Sequence, residues 1–172
     1  MKERLEMMRL LIIMTCLLLF VTGVWAEEVE LKVVRVGANL YQVPAEDLFI
    51  QTEYCFEDAT NKAVVLLLGE AGDRLLFNGP KNGCDIKMVY GRSKVDAGNY
   101  QLKVTKVDDD WYGLVDQDVA LKTNGCLSQV ENVAAEMVIN EDGTGTLSIP
   151  EADENCQVEG VYSKAELSVG KK

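Results

Sequence analysis

Residues 31–36 read LKVVRV, and residues 102–107, which lie 71 positions further along the chain, read LKVTKV. The same spacing separates Tyr41 from Tyr112, and no gap is needed between the matched stretches and these tyrosines. A fixed internal period indicates that one supersecondary unit has been built twice. The fold is therefore expected to consist of two tandem homologous repeats, and residues that both copies retain are expected to serve folding.

Four cysteines follow residue 26, and they repeat with nearly the same period. Cys55 and Cys126 are 71 positions apart, whereas Cys84 and Cys156 are 72 positions apart, so the second copy contains one extra residue. Four cysteines allow three pairings, and because each copy owns one pair, we predict the disulfides Cys55–Cys84 and Cys126–Cys156. A four-cysteine metal site is the rival interpretation, but zinc sites use close pairs of cysteines, which this chain lacks.

Each copy has the pattern of short β-strands. Leu48, Ile50 and Thr52 alternate with Phe49, Gln51 and Glu53, residues 119–124 repeat the arrangement, and we take this period of two as typical of a half-buried strand. Turn-forming residues separate later apolar runs, as at residues 140–145, where we place the extra residue. We predict an all-β fold of two small β-barrel or sandwich-like repeats, residues 27–97 and residues 98–172. A unit of this size has a marginal core, so its disulfide is expected to contribute about 3–4 kcal/mol of stability.

The opening strand of each copy contains an irregularity. Val36 and Val107 are out of phase with the apolar residues that precede them. A bulge or sharp bend re-aims a strand in this way. We predict one near Val34 and another near Thr105.

Residues 1–26 have the layout of a secretory signal peptide. A basic start precedes an almost unbroken apolar run over residues 10–24, and Ala26 ends the segment. The run is short for a membrane span, which needs roughly 20 apolar residues; an uncleaved N-terminal anchor is the alternative. We expect a secreted or periplasmic protein with no membrane span after cleavage, in a compartment where disulfides persist.

The composition excludes several classes of function. The whole chain carries a formal net charge of −11, and without residues 1–26 the charge is −12, because that segment has three basic and two acidic side chains. Such a charge argues against nucleic acid as a partner. The chain has no histidine, which excludes Ser-His-Asp and Cys-His catalytic arrangements. Paired cysteines leave no thiolate nucleophile, so we predict that the protein is not an enzyme and uses no cofactor.

The turn at residues 140–145 admits a second interpretation. Asn140, Asp142, Thr144 and, further on, Glu151 fall at positions 1, 3, 5 and 12 of a calcium-binding EF-hand loop. The strand-like flanks contradict the helix–loop–helix context that such a loop requires. We therefore predict a plain hairpin turn and no metal site.

Three acids, residues 108–110, stand beside Trp111 and Tyr112. A solvated turn is the expected role of such a run. The alternative is an acidic and aromatic contact patch for a basic or carbohydrate partner.

The two copies differ on one face. The first copy has Val65 and Leu67 where the second has Glu136 and Val138. A strand that is apolar on both sides is expected to be buried on both sides. Phe49, which is matched by the smaller Ala120 in the second copy, supports the same conclusion. We predict that the outward face of Phe49, Val65 and Leu67 packs on the second copy or on a partner.

These observations favour an exported, non-catalytic binding or structural module of the cell envelope or extracellular space, with a protein or carbohydrate partner. A secreted hydrolase that uses carboxylates is one alternative, and a secreted protein inhibitor is another. A binding module should expose an apolar or aromatic patch. An enzyme should have one deep pocket containing acids with separated pKa values, and an inhibitor should present one rigid loop.

Overall fold

The computed structural model describes residues 27–69, 72–79 and 82–165, so the predicted signal peptide, residues 1–26, lies outside the described residues. Their regular structure is almost entirely antiparallel β-sheet, which confirms the predicted all-β fold. A 3-10 turn, Pro150–Ala152, stands between the last two strands. The strands are β1 (Glu27–Arg35), β2 (Leu40–Val43), β3 (Leu48–Thr52), β4 (Lys62–Leu68), β5 (Arg74–Leu76), β6 (Gly83–Arg92), β7 (Gly98–Asp108), β8 (Trp111–Leu114), β9 (Val119–Asn124), β10 (Val133–Ile139), β11 (Gly145–Ile149) and β12 (Glu154–Lys164).

The first six strands form a closed ring, which we call the N-terminal barrel. β1 pairs with β2 and β4, β3 pairs with β2 and β6, and β5 pairs with β4 and β6. The pairings close the ring because β1 changes neighbour along its length: it pairs with β4 from Glu27 to Val33 and with β2 at Val34 and Arg35. The sequence pattern left barrel and sandwich open, and the pairing decides for a barrel.

The last six strands close in the same order, and we call them the C-terminal barrel. The registers of the two barrels correspond as well. Tyr41 on β2 pairs with Ile50 on β3, and 71 positions later Tyr112 on β8 pairs with Leu121 on β9. The two barrels therefore place equivalent side chains at equivalent points of the sheet.

Both barrels contain a bulge at the same place on their last strand. In the β3–β6 ladder Gln51 pairs with Met88 and Thr52 pairs with Ile86, which leaves Lys87 as the extra residue. The β9–β12 ladder shifts between Val158 and Gly160 in the same way. A bulge re-aims a side chain away from the regular ladder, and it does so here for the residue at position 87 and for its equivalent at position 159.

The bulge predicted near Val34 and Thr105 lies further along the chain. In β7 the register shift leaves Val107 as the extra residue, and after β1 the amides of Val36 and Gly37 share one carbonyl. The prediction put the bend before the out-of-phase valine. That valine is itself the extra residue, and it is 41% exposed in both barrels.

The extra residue of the second copy falls in the β10–β11 turn. Ladder pairs that β10 makes match those of β4 at an offset of 71, while their β11 partners match β5 at an offset of 72. The Oδ1 atom of Asp142 accepts hydrogen bonds from the amide of Thr144 at 2.9 Å and from its hydroxyl at 2.6 Å. These two hydrogen bonds lower the pKa of the exposed Asp142 carboxyl. The segment is a side-chain-capped hairpin turn, as predicted.

Each barrel has its own apolar core. Alternate residues of the strands point inward, as the burial pattern of β10 shows along its whole length. Eight buried positions of the N-terminal core have their equivalents in the C-terminal core. They are Val33, Tyr41, Ile50, Cys55, Val64, Leu75, Phe77 and Val89, matched by Val104, Tyr112, Leu121, Cys126, Ala135, Leu147, Ile149 and Val161.

The barrels meet where β6 pairs with β12. Tyr90 pairs with Lys164, and Arg92 pairs with Tyr162. Because positions 90 and 162 are equivalent, and positions 92 and 164 are equivalent, this ladder is nearly symmetric about its centre. The amide of Ser93 donates to the carbonyl of Val161, and the equivalent bond from residue 165 to residue 89 extends the symmetry.

A third apolar cluster lies between the barrels, and we call it the joint cluster. Its members are Leu40, Phe49, Tyr90, Trp111, Ala120 and Tyr162, three from each barrel. The ring of Phe49 lies 4.6 Å from that of Trp111 and 5.0 Å from that of Tyr162, both in edge-to-face arrangements. Such aromatic pairs stabilise a contact beyond their buried area, so the joint cluster holds the two barrels together as one body.

Candidate functional site

Two loops follow β3 and β9, residues 53–61 and residues 125–132, and we call them the first and second cysteine loops. Each is joined to the last strand of its barrel by a disulfide, with Cα–Cα separations of 5.5 Å for Cys55–Cys84 and 5.3 Å for Cys126–Cys156. The predicted pairing of the cysteines is therefore confirmed. Because the bridges occur at equivalent places, both loops are anchored in the same way.

The tyrosines that the two copies retain also anchor these loops. The hydroxyl of Tyr41 donates to the carbonyl of Glu57 at 2.9 Å, and that of Tyr112 donates to the carbonyl of Ser128 at 2.9 Å. Burial, reinforced by the nearby carboxylate of Glu154, raises the pKa of Tyr112 to about 12. Both phenols therefore remain protonated donors at physiological pH, which fits the structural role expected of retained residues.

A basic side chain at a second retained position holds each loop from another direction. The guanidinium of Arg35 donates to the carbonyl of Phe56 at 3.4 Å and to the carboxylate of Asp58 at 3.1 Å. The ammonium of Lys106, at the equivalent position, donates to the carbonyl of Cys126 at 2.8 Å. Each cysteine loop is thus fixed by a disulfide, a tyrosine hydroxyl and a cation.

A carboxylate completes the second cysteine loop. The side chain of Glu154 accepts hydrogen bonds from the amides of Leu127 and Ser128. Partial burial acts to raise the pKa of Glu154, but these amide bonds and the nearby Lys106 outweigh it and lower the pKa. Glu154 is therefore ionised at neutral pH.

The anchored loops expose large apolar side chains, although their cysteines are buried. Tyr54 is 88% exposed, Phe56 67% and Leu127 82%. Phe56 and Leu127 occupy equivalent positions, one residue after the bridging cysteine of each loop. Sequence reasoning missed these residues because a single apolar residue beside a cysteine has the same pattern whether it is buried or exposed.

Tyr54 also has an unusual backbone. Six described non-glycine residues have a positive φ, and five of them are Asn or Asp, which tolerate the left-handed region; the sixth is Tyr54, with φ of 50°. Its equivalent in the second loop is Gly125, with φ of 84°, the residue type that adopts this conformation without steric cost. A bulky residue there costs about 1–2 kcal/mol relative to the right-handed conformation.

Tyr54 borders a groove of about 260 Å³ between the barrels, which we call the joint groove. Val107 lines it from the C-terminal barrel, and the bulge residue Lys87 lines it from β6. The other lining residues are polar or acidic and come from the first copy. They are Asn39, Gln51, Thr52 and Glu53.

Several polar groups of the joint groove have spare bonding capacity. Within the described part of the chain, neither Lys87 nor Glu53 belongs to an ion pair. Gln51 accepts a hydrogen bond from Tyr90 at 3.3 Å through its carbonyl oxygen, which leaves its NH₂ group as an available donor. The groove thus combines a cation, an anion and an amide with one exposed aromatic ring.

The equivalent positions of the C-terminal barrel are closed by internal bonds. The ammonium of Lys122 lies 3.0 Å from the carboxylate of Glu159, and the NH₂ group of Asn124 donates to the same carboxylate at 3.4 Å. Glu159 is the bulge residue that corresponds to Lys87. The same sheet geometry therefore carries a self-paired cluster in one barrel and unpaired groups in the other.

The residues predicted to share a face lie at different places. Phe49 packs in the joint cluster, against the C-terminal barrel. Val65 and Leu67 lie half-buried on β4, whose neighbours are β1 and β5 and which does not contribute to that cluster. The alternation of a strand indicates which side of the sheet a residue occupies, but not where the strand lies around a barrel. Phe49 therefore packs on the C-terminal barrel, one of the two predicted outcomes, whereas the packing predicted for Val65 and Leu67 stays a prediction.

The acidic run at residues 108–110 acts between the barrels. The carboxylate of Asp108 accepts hydrogen bonds from the amides of Ala38 and Asn39, at 3.3 and 3.5 Å. A side chain on Gly37 would collide with this carboxylate, because its Cβ would lie 2.5 Å from Oδ2. Asp109 and Asp110 form the exposed turn that was expected, whereas Trp111 beside them is buried in the joint cluster and so does not belong to an exposed aromatic patch.

The chain matches no protein-family model, no curated protein and no solved structure. Among residues 27–69, 72–79 and 82–165, no group of His, Cys, Asp and Glu side chains has the arrangement of a metal site. The same residues contain no helix with the length and apolarity needed to cross a bilayer. The cysteine loops and the joint groove are the features from which a function can be argued.

Proposed function

We propose that the protein is an exported, non-catalytic binding module, secreted or periplasmic, in which one β-barrel unit has been duplicated. Residues 1–26 would be its signal peptide, and residues 27–97 and 98–172 its two repeats. The shared strand order, register and bulges of the two barrels support the duplication. Two disulfides are consistent with an oxidising compartment.

One observation carries the binding role: the cysteine loops expose Tyr54, Phe56 and Leu127 although every anchor beneath them is fixed. Large exposed apolar side chains mark contact sites when they are grouped on one structural element. A loop that is already ordered loses little conformational entropy when a partner binds. The loops are therefore suited to present a preformed contact surface to a protein or carbohydrate.

Capture of partners from the culture medium and the envelope fraction tests this role. The chain without residues 1–26 is compared with a Phe56→Ser/Leu127→Ser variant and with a Val138→Ser control, since Val138 is an exposed valine on β10, outside both loops. We expect material retained by the unaltered protein and by the control to be lost with the loop variant. Equal retention by all three proteins, with unchanged melting temperatures, would remove the loops from any binding role.

A secreted inhibitor is the second candidate, and the first cysteine loop favours it. Phe56 stands exposed beside a bridged cysteine, which is how a rigid loop could occupy the binding cleft of a protease that prefers aromatic residues. An inhibitor would block chymotrypsin in stoichiometric amounts, and Phe56→Ala would abolish the block. Cleavage of the loop without inhibition would exclude this candidate.

A further inference from the structure

We propose that the joint groove binds a saccharide of one or two sugar rings, with the ring of Tyr54 stacked on an apolar sugar face. This inference deepens the proposed binding function and rests on it. The groove lies beside the first cysteine loop, and the polar groups that line it supply donors and acceptors for sugar hydroxyls.

The backbone of Tyr54 is the first step of the argument. The left-handed conformation at this position suits glycine, which the second loop has at residue 125, and nothing in the core requires an aromatic side chain that is 88% exposed. Strain of this kind is concentrated at ligand clamps and active sites, where the surrounding structure maintains it. The observed outlier therefore points to a role for the Tyr54 ring outside the folded chain.

The unpaired polar groups are the second step. In the C-terminal barrel a lysine, an asparagine and a glutamate satisfy one another at the positions equivalent to the groove. In the N-terminal barrel the corresponding Gln51, Glu53 and Lys87 have no such mutual bonds among the described contacts. The same sheet positions therefore hold mutually bonded side chains in the C-terminal barrel. In the N-terminal barrel the side chains at these positions can still bond to a ligand.

The chemistry of the groove favours a sugar over a peptide strand. β3, which supplies Gln51 and Thr52 to the groove, pairs with β2 on one side and with β6 on the other, so it offers no free edge to an added peptide strand. Groups of both charges lie within one groove of about 260 Å³, which is small for a ligand site. A pyranose has an apolar face that can stack on the Tyr54 ring. It also has a rim of hydroxyls that can donate to Glu53 and accept from Lys87, which line the same groove.

The experiment measures binding of cellobiose, N,N′-diacetylchitobiose and maltose to the chain without residues 1–26, by saturation-transfer NMR and calorimetry. We expect at least one disaccharide to bind, and Tyr54→Asn to weaken it about tenfold, the scale of one aromatic contact. Asparagine tolerates the left-handed backbone, so this variant keeps the fold. Val138→Ser, which alters an exposed apolar side chain outside the groove and both cysteine loops, should leave the affinity unchanged.

A second pair of variants tests the polar side of the groove. Lys87→Met should weaken the same disaccharide, whereas Lys32→Met, which removes an exposed lysine on β1, should not. The inference is overturned if none of the three sugars binds at about 10 mM, a concentration that reveals even millimolar affinity, or if Tyr54→Asn leaves binding intact. If these sugars fail while capture by the cysteine loops still depends on Phe56 and Leu127, the binding function stands and its saccharide assignment falls.

Discussion

The residues that line the joint groove differ from the residues at the equivalent positions of the C-terminal barrel far more than the two barrels differ in strand order and register. Around the C-terminal bulge, Lys122 and Glu159 form an ion pair, and Gly125 takes the left-handed turn. Around the N-terminal bulge, Lys87 has no such partner among the described residues, and Tyr54 takes the same turn at a steric cost.

This comparison separates positions that are alike in the two barrels from positions that differ. The hydroxyl of Thr52 donates to the carbonyl of Asn39, and the hydroxyl of Thr123 donates to the equivalent carbonyl of Asp110. The tyrosine bonds to the cysteine loops, the disulfides and the bulges likewise occur at matching positions. The groove positions do not match in charge, size or bonding. One barrel has an ion pair and a glycine turn at these positions, whereas the other lacks the ion pair among its described residues and has a strained tyrosine. A site that departs from the more stable arrangement is where a functional requirement is expected.

The largest effect should come from the joint cluster, on which the comparison of two joined barrels depends. Trp111→Ala should lower the free energy of unfolding by about 3–5 kcal/mol, because a buried aromatic side chain is lost. Trp111→Leu, which copies the residue at the equivalent position 40, should cost less than half as much. Urea unfolding followed by circular dichroism measures both; equal losses would mean that the cluster does not hold the barrels together.

The disulfides should contribute almost equally, since they close loops of 29 and 30 residues. Cys55→Ser/Cys84→Ser and Cys126→Ser/Cys156→Ser should each destabilise the protein by about 3–4 kcal/mol in the chain-entropy model. Denaturant midpoints of the two double variants give the comparison. A difference above about 2 kcal/mol, well beyond the entropic difference between the loops, would show that the two bridges are not equivalent.

The turn residues should respond in opposite directions. Gly125→Tyr places a bulky residue at φ of 84° and should destabilise the protein by about 1–2 kcal/mol. Tyr54→Gly relieves the same strain and should raise the melting temperature by a few degrees, after the flexibility of glycine offsets part of the gain. Calorimetry measures both, and a loss of stability in Tyr54→Gly would indicate that the exposed ring stabilises the fold.

The ion pair in the C-terminal barrel should matter least for stability at neutral pH. Lys122→Met should change the free energy of unfolding by about 0–1 kcal/mol, because both partners are partly exposed to solvent. Lys87→Met should be equally mild, since Lys87 has no ion-pair partner among the described residues. A loss above 2 kcal/mol at Lys122 would assign a folding role to the closed cluster.

The pH dependence of the second cysteine loop should depend on Glu154. Its pKa is lowered in the folded protein, so its contribution to stability is present above the ordinary value of 4.5 and is lost as the pH falls through the lowered value. Glu154→Gln should lower the melting temperature at pH 7 and flatten its decline below pH 4.5, because the variant lacks the contribution that protonation removes. Parallel pH profiles for both proteins would show that the carboxylate is not coupled to folding.

Periodicity in the sequence was enough to predict the strands, the matched disulfides and the turn that contains the extra residue. Those features depend on local alternation and on covalent pairs, and both are visible in one dimension. Alternation alone could not show how Phe49 on β3 and Val65 and Leu67 on β4 lie relative to one another, because closing a ring gives β3 and β4 different neighbours. The anchoring of Asp108 was equally hidden, since its partners belong to the other barrel.

The candidate site was harder to predict than the fold. Tyr54 and Gly125 are equivalent in the sequence, but only the backbone angle reveals that one of them is strained. Lys87 and Glu159 are likewise equivalent, and each is the extra residue of a bulge that the sequence did not indicate. Lys87 lines the joint groove, whereas Glu159 pairs with Lys122. The sequence alone shows that the residues at these equivalent positions differ. Only the backbone angles and the bulges show that the differences concern one site.

The β6–β12 ladder has a consequence for any half of this chain expressed alone. Because equivalent residues face each other across it, Gly91 and Ser163 occupy a pseudo-twofold axis. A fragment ending at residue 97 would expose Tyr90, Phe49 and Leu40, and a second copy of itself, turned by half a revolution, could cover them. The contact within one chain would then become an association between two chains, and the fraction of paired chains would rise with concentration.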